Sequence, residues 1–126
     1  MGRKKSPTLT DAELRLMEIL WQRGESTVGD VVESLSKKTP LAYSSVLTTL
    51  RILEQKGYVA HRKSGRAFVY CPLVDRARAR QSALNYITRR FFNNSRELLL
   101  LNLLEQENID AREWKRLKKR IEESQE

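Results

Sequence analysis

The sequence predicts a mainly α-helical protein carrying one small β-hairpin, and three observations support that class. Apolar residues recur at helical spacing through most of the 126-residue chain. Between residues 58 and 71 the pattern changes to two short β-rich runs around a Ser-Gly pair. Composition is that of an ordinary folded domain, with 40% hydrophobic residues and no run of eighteen apolar ones.

The elements follow in order after a short basic tail, residues 1–8. Leu9, Thr10, Glu13 and Leu14 form a capping box with a hydrophobic staple, in which Thr10 accepts from the third helical amide and Leu9 packs on Leu14. Helix one is expected to bury Leu14, Met17, Leu20 and Trp21 and to end on a left-handed cap at Gly24. Thr27 with Asp30 opens helix two, whose apolar side is Val28, Val31, Val32 and Leu35. The loop SKKTP follows, with Pro40 near the start of the next element, where a missing amide hydrogen costs little.

Helix three is expected from about Tyr43 to Lys56, stopped by Gly57. On a 3.6-residue period Tyr43, Val46, Leu47, Leu50 and Leu53 share a core-facing side. Ser44, Thr48, Arg51 and Gln55 share the opposite side, with Ser45 on its flank. Tyr58 to Arg62 and Ala67 to Cys71 read as two strands joined by a Lys63, Ser64, Gly65, Arg66 turn. Three helices and a hairpin in this order make a winged helix-turn-helix, assigned to residues 9–74.

Residues 75–126 are expected to be helical only. Asp75 is an N-cap, Ala77, Leu84, Ile87 and Phe91 make one stripe, and Asn93, Asn94 and Ser95 interrupt it. The next helix holds six leucines around Asn102, so it is apolar on nearly its whole circumference and requires a partner surface. Ile109, Asp110, Glu113 and Trp114 repeat the staple and box. These three helices are expected to interlock with their copies in a homodimer through Leu84, Ile87, Phe91, Leu98, Leu99, Leu101, Leu103, Leu104, Trp114, Leu117 and Ile121.

Net charge is +8, and its placement points to a partner. From Lys37 to Arg66 seven cations face one acid, Glu54, so this stretch carries +6 and attracts a polyanion. A major groove admits a helix and distinguishes all four base pairs. Ser44, Ser45, Thr48 and Arg51 are the candidate readers there. Lys37 and Lys38 before helix three, and Arg62, Lys63 and Arg66 at the hairpin, are candidate phosphate contacts.

Other chemistry has little to build on. Cys71 is the only cysteine and His61 the only histidine, too few soft ligands for a metal cluster, and no cofactor is expected. Tyr43, Ser44 and Ser45 are conceivable nucleophiles, yet His61 lies in a strand among cations with no carboxylate expected to orient it. An enzyme is therefore not expected. The lack of an apolar span or leader points to the cytoplasm, without membrane insertion.

Three segments, LTDAELRLMEILW, LAYSSVLTTLRILEQKGYV and GRAFVYCPLV, resemble the BlaI/MecI family of bacterial repressors, and the likeness runs from about Leu9 to Ile121. The resemblance implies a homodimer that binds double-stranded operator DNA at inverted repeats of TACA and TGTA type and blocks a promoter. It also implies release by a membrane sensor protease that cuts an Asn-Phe bond. The corresponding pair here is Asn102 and Leu103, so the second residue differs. Copper-responsive relatives carry a cysteine-rich C-terminal motif, which KKRIEESQE lacks. A non-specific architectural nucleic-acid-binding protein is the alternative reading, and a helical adaptor without nucleic acid is a weaker third.

Overall fold

The computed structural model describes residues 8–106 and 109–124. The basic tail therefore lies, except for Thr8, outside the described residues. The elements are α1 (Asp11–Arg23), β1 (Ser26–Thr27), α2 (Val28–Ser34), α3 (Tyr43–Gln55), β2 (Val59–Ser64), β3 (Ala67–Pro72), α4 (Arg76–Phe91), α5 (Arg96–Gln106) and α6 (Ala111–Ser124). Two compact units result, one up to Tyr86 and one from Ile87.

In the first unit the local signals hold at the helix starts. Thr10 Oγ1 accepts from Glu13 N at 3.2 Å while Glu13 Oε1 accepts from Thr10 N at 2.9 Å, and Thr27 with Asp30 repeats the exchange at α2. Each cap is worth about 1 kcal/mol. The inward face of α1 is the expected one only in part: Met17 and Leu20 are fully buried as expected, but Leu16 joins them, whereas Leu14 is 40% exposed and Trp21 half-buried. Glu13 is the cause. It is buried beside Lys56, whose ammonium donates to Glu13 Oε1 at 2.7 Å and to Thr8 O at 3.0 Å. A period that treats glutamate as outward rotates the helix toward Leu14.

Gly24 ends α1, its N–H donating to Leu20 O, but at φ 82° and ψ −150° rather than in the left-handed helical region. That extended, positive-φ conformation belongs almost solely to glycine. It sends the chain straight into β1, a two-residue strand that the sequence did not announce. The sheet is antiparallel in order β1-β3-β2, with Ser26 opposite Tyr70 and His61 also opposite Tyr70. Pairing continues to Ser64 opposite Ala67, so the expected four-residue turn shrinks to Gly65 and Arg66. Gly65 has φ 62°, the positive value that a two-residue loop needs to match right-twisted strands.

Val28 and Val31 of α2, Val46, Leu50 and Leu53 of α3, and Tyr58, Val59 and Tyr70 of the hairpin complete the core with α1, and Ala79 of α4 packs on it. Tyr43 does not join them. It is 57% exposed. Val46 is the first buried residue of α3, so a side chain one turn earlier lies past the core's edge. Trp21 Nε1 donates to Val74 O at 2.8 Å, and the Arg76 guanidinium stacks on the Trp21 ring while also bonding Glu18. Within α4 the buried alanine is Ala79, not the expected Ala77.

In the second unit Asn93 and Asn94 turn the chain at φ 50° and 59°, values that asparagine tolerates better than most residues. Ser95 Oγ accepts from Leu98 N at the start of α5, and Asp110 Oδ1 accepts from Glu113 N at the start of α6. No described residue of α5 or α6 is buried.

Candidate nucleic-acid interface

α3 divides its residues as a reading helix must. Val46, Leu50 and Leu53 are at 0% exposure on one side, which anchors the helix, and Ser44, Ser45, Thr48, Arg51 and Gln55 are exposed on the other. The anchor is both apolar and ionic. Lys56 at the C-cap of α3 reaches α1 through the buried Glu13 pair, so an ion pair joins the two helices beside their apolar contact. Burial alone would raise the Glu13 pKa, but the hydrogen bond from Lys56, the Thr10 backbone N–H and the Lys56 charge together hold the carboxyl below the usual range.

Lys37 and Lys38 are exposed in the loop that leads into α3. Arg15 of α1 holds that loop, donating to Thr39 O and, at 2.9 Å, to Thr39 Oγ1. No local signal could have assigned Arg15 this part, because its partner lies 24 residues away.

The hairpin separates cations that look alike in sequence. Paired strand residues share a face and alternate along the strand, so His61, Lys63, Phe68 and Tyr70 point to one side and Arg62 with Val69 to the other. Lys63 faces the α3 side, and Arg66 sits in the exposed turn. Arg62 is occupied elsewhere, with Nη2 donating to Glu25 Oε2 at 2.9 Å. That bond and the guanidinium charge lower the Glu25 pKa and raise that of Arg62.

Between α3 and the hairpin lies a crevice of about 480 Å³ lined by Arg51, Glu54, Gln55, His61, Phe68 and Tyr70. Here the expectation that no carboxylate orients His61 fails: its Nδ1 is 2.5 Å from Glu54 Oε1. The two positions lie seven residues apart, on different elements, and only the turn at Gly57 brings them together.

An exposed polar helix face carried on a trihelical core, with a cationic two-stranded wing at its side, defines a winged helix-turn-helix protein of the DNA-binding class. A family model described as penicillinase repressor matches residues 9–123. The penicillinase repressor of Bacillus licheniformis is 32% identical over 120 residues, covering 95% of this chain and 94% of that protein. The transcriptional regulator BlaI of Mycobacterium tuberculosis is 40% identical over 73 residues, 57% of this chain and 53% of that protein. Among solved structures, the solution structure of the DNA binding domain of the repressor BlaI aligns with 36% identity and a TM-score of 0.51, covering 60% of this chain and 92% of that one. The chain thus belongs to the penicillinase-repressor family, the BlaI/MecI type of DNA-binding transcriptional repressor. That family consists of regulators rather than enzymes.

Proposed function

We propose that the protein represses transcription as a homodimer that binds an inverted repeat of TACA and TGTA type in a promoter. The observation that carries this reading is the uncovered apolar surface of residues 75–126. Leu98, Leu100, Leu101 and Leu103 of α5 are 46%, 45%, 54% and 49% exposed, and Leu84, Ile87, Phe91, Leu117 and Ile121 are exposed as well. Burying the exposed half of each leucine is worth about 1 kcal/mol, and a second copy of the chain supplies a matching surface by symmetry. Two copies held at a fixed separation place two α3 helices on successive half-sites. Weak readers such as Ser44, Ser45 and Thr48 then become selective together, because the second half-site binds intramolecularly.

The same arrangement explains release by proteolysis. Asn102 and Leu103 are exposed on α5, a helix that buries no residue within its own chain and so belongs to the easily opened part of the structure. A sensor protease that cuts between them would detach α6 from the DNA-binding unit. The cut fragment, residues 1–102, should bind a half-site weakly and a full repeat with no cooperative gain.

Sedimentation of the full chain at micromolar concentration, joined to a footprint on the DNA upstream of its own gene in excess random DNA, tests the reading. A dimer that protects an inverted repeat is expected. A monomer, or protection that random DNA abolishes, refutes it, and the latter outcome favours a non-specific architectural role.

A further inference from the structure

We propose that the crevice between α3 and the β2–β3 hairpin seats a backbone phosphate of duplex DNA, and that His61 makes this possible by masking Glu54. The inference rests on the DNA-binding reading of the fold and adds two residues to it. The crevice is continuous with the reading face, since Arg51 and Gln55 form one of its walls. Lys63 stands on the same side of the hairpin as His61, two residues along β2. A phosphate passing between helix and wing therefore meets Arg51 and Lys63 as attractive charges. It also meets Glu54, the single acid of the Lys37–Arg66 stretch, whose side chain is 37% exposed.

An uncovered carboxylate at that place would repel the phosphate. His61 covers it, with Nδ1 at 2.5 Å from Glu54 Oε1. Two aromatic neighbours hold the imidazole ring in this position. Phe68 meets it edge-on at 5.2 Å and 85°, and Tyr70, itself 2% exposed, lies beside it across the strand pair at 5.3 Å. The groups that face the imidazole are Glu54, Arg51 and Gln55 from α3, Phe68 and Tyr70 from β3, and Lys63 along its own strand. With its Oε1 engaged by the imidazole, the carboxylate presents less of its charge to a passing phosphate.

The test is fluorescence anisotropy of the full chain on two unrelated duplexes of about 30 base pairs at low salt. His61→Ala is expected to bind both duplexes more weakly than wild type, by up to about fiftyfold, the unscreened effect of one uncovered unit charge at about 7 Å near a protein surface. His61→Ala with Glu54→Gln should recover the wild-type affinity on both duplexes. Glu54→Gln alone should bind at least as tightly as wild type. The proposal is overturned if His61→Ala matches wild type, or if the double substitution stays as weak as His61→Ala. A loss confined to one duplex also overturns it, since that would be base reading rather than phosphate contact. Wild type that binds neither duplex instead refutes the DNA-binding reading itself.

Discussion

Replacing Lys56 by methionine isolates the ion pair that ties α3 to α1. Methionine keeps much of the stem volume but removes the ammonium, leaving Glu13 buried with the Thr10 N–H as its remaining bond of 2.9 Å. Both side chains of the pair are only 6% exposed, so solvent screens little of the loss. Removing one partner of a buried pair costs about 3–5 kcal/mol. Glu13 can instead take up a proton, which for an ordinary carboxyl of pKa about 4.3 costs about 3.7 kcal/mol at pH 7 and sets the ceiling. A destabilisation of about 3 kcal/mol follows, or about 12–24 °C in Tm for a domain of this size.

The pH dependence supplies a second reading of the same pair. In wild type the Glu13 pKa lies below its unfolded value, so its stabilising effect is present above the unfolded pKa and is lost as pH falls through the folded one. In Lys56→Met burial acts without the cation, the folded pKa rises above the unfolded value, and the penalty is full at pH 7. The Tm gap between the two proteins should therefore narrow as pH falls toward about 4. Thermal unfolding followed by circular dichroism at pH 7 and pH 4 measures it, and Lys56→Met with Glu13→Gln should recover most of the loss. A gap below about 3 °C at pH 7, which is under 1 kcal/mol, or a gap that does not change with pH, would refute the reasoning.

Lys63→Ala should weaken binding to all sequences alike and flatten the slope of log affinity against log salt by about one unit, and a loss seen on one sequence only would place Lys63 at a base. Leu50→Ala, at a fully buried position of α3, should cost about 2–5 kcal/mol by denaturant unfolding, whereas Tyr43→Ala, at an exposed one, should cost less than about 1 kcal/mol. Trp21→Phe removes the donor to Val74 O and should destabilise the first unit by about 1 kcal/mol, with an unchanged midpoint counting against that bond.

Much of the fold was legible because its signals are local. Thr10 with Glu13 and Thr27 with Asp30 act across three residues, and the alternation through β2 and β3 needs only neighbours to be read. The polar face of α3 was legible for the same reason, since Ser44, Ser45, Thr48 and Arg51 are separated from Val46, Leu50 and Leu53 by helical geometry alone. What escaped depends on partners far along the chain. The burial of Glu13, and with it the exchange of Leu14 for Leu16, needs Lys56 at a separation of 43 residues. The diversion of Arg62 to Glu25 needs one at 37.

Sequence by itself determined the order of helices and hairpin, the placement of the exposed polar face of α3 and the excess of cations beside it, because periodicity, capping and charge density act over a few residues. The tertiary structure alone decided which of those cations remain on the α3 side and which are spent on acids. It also set His61 against Glu54 in a crevice between helix and wing. Both outcomes depend on where a folded chain returns to itself, and hydrophobic spacing carries no record of that.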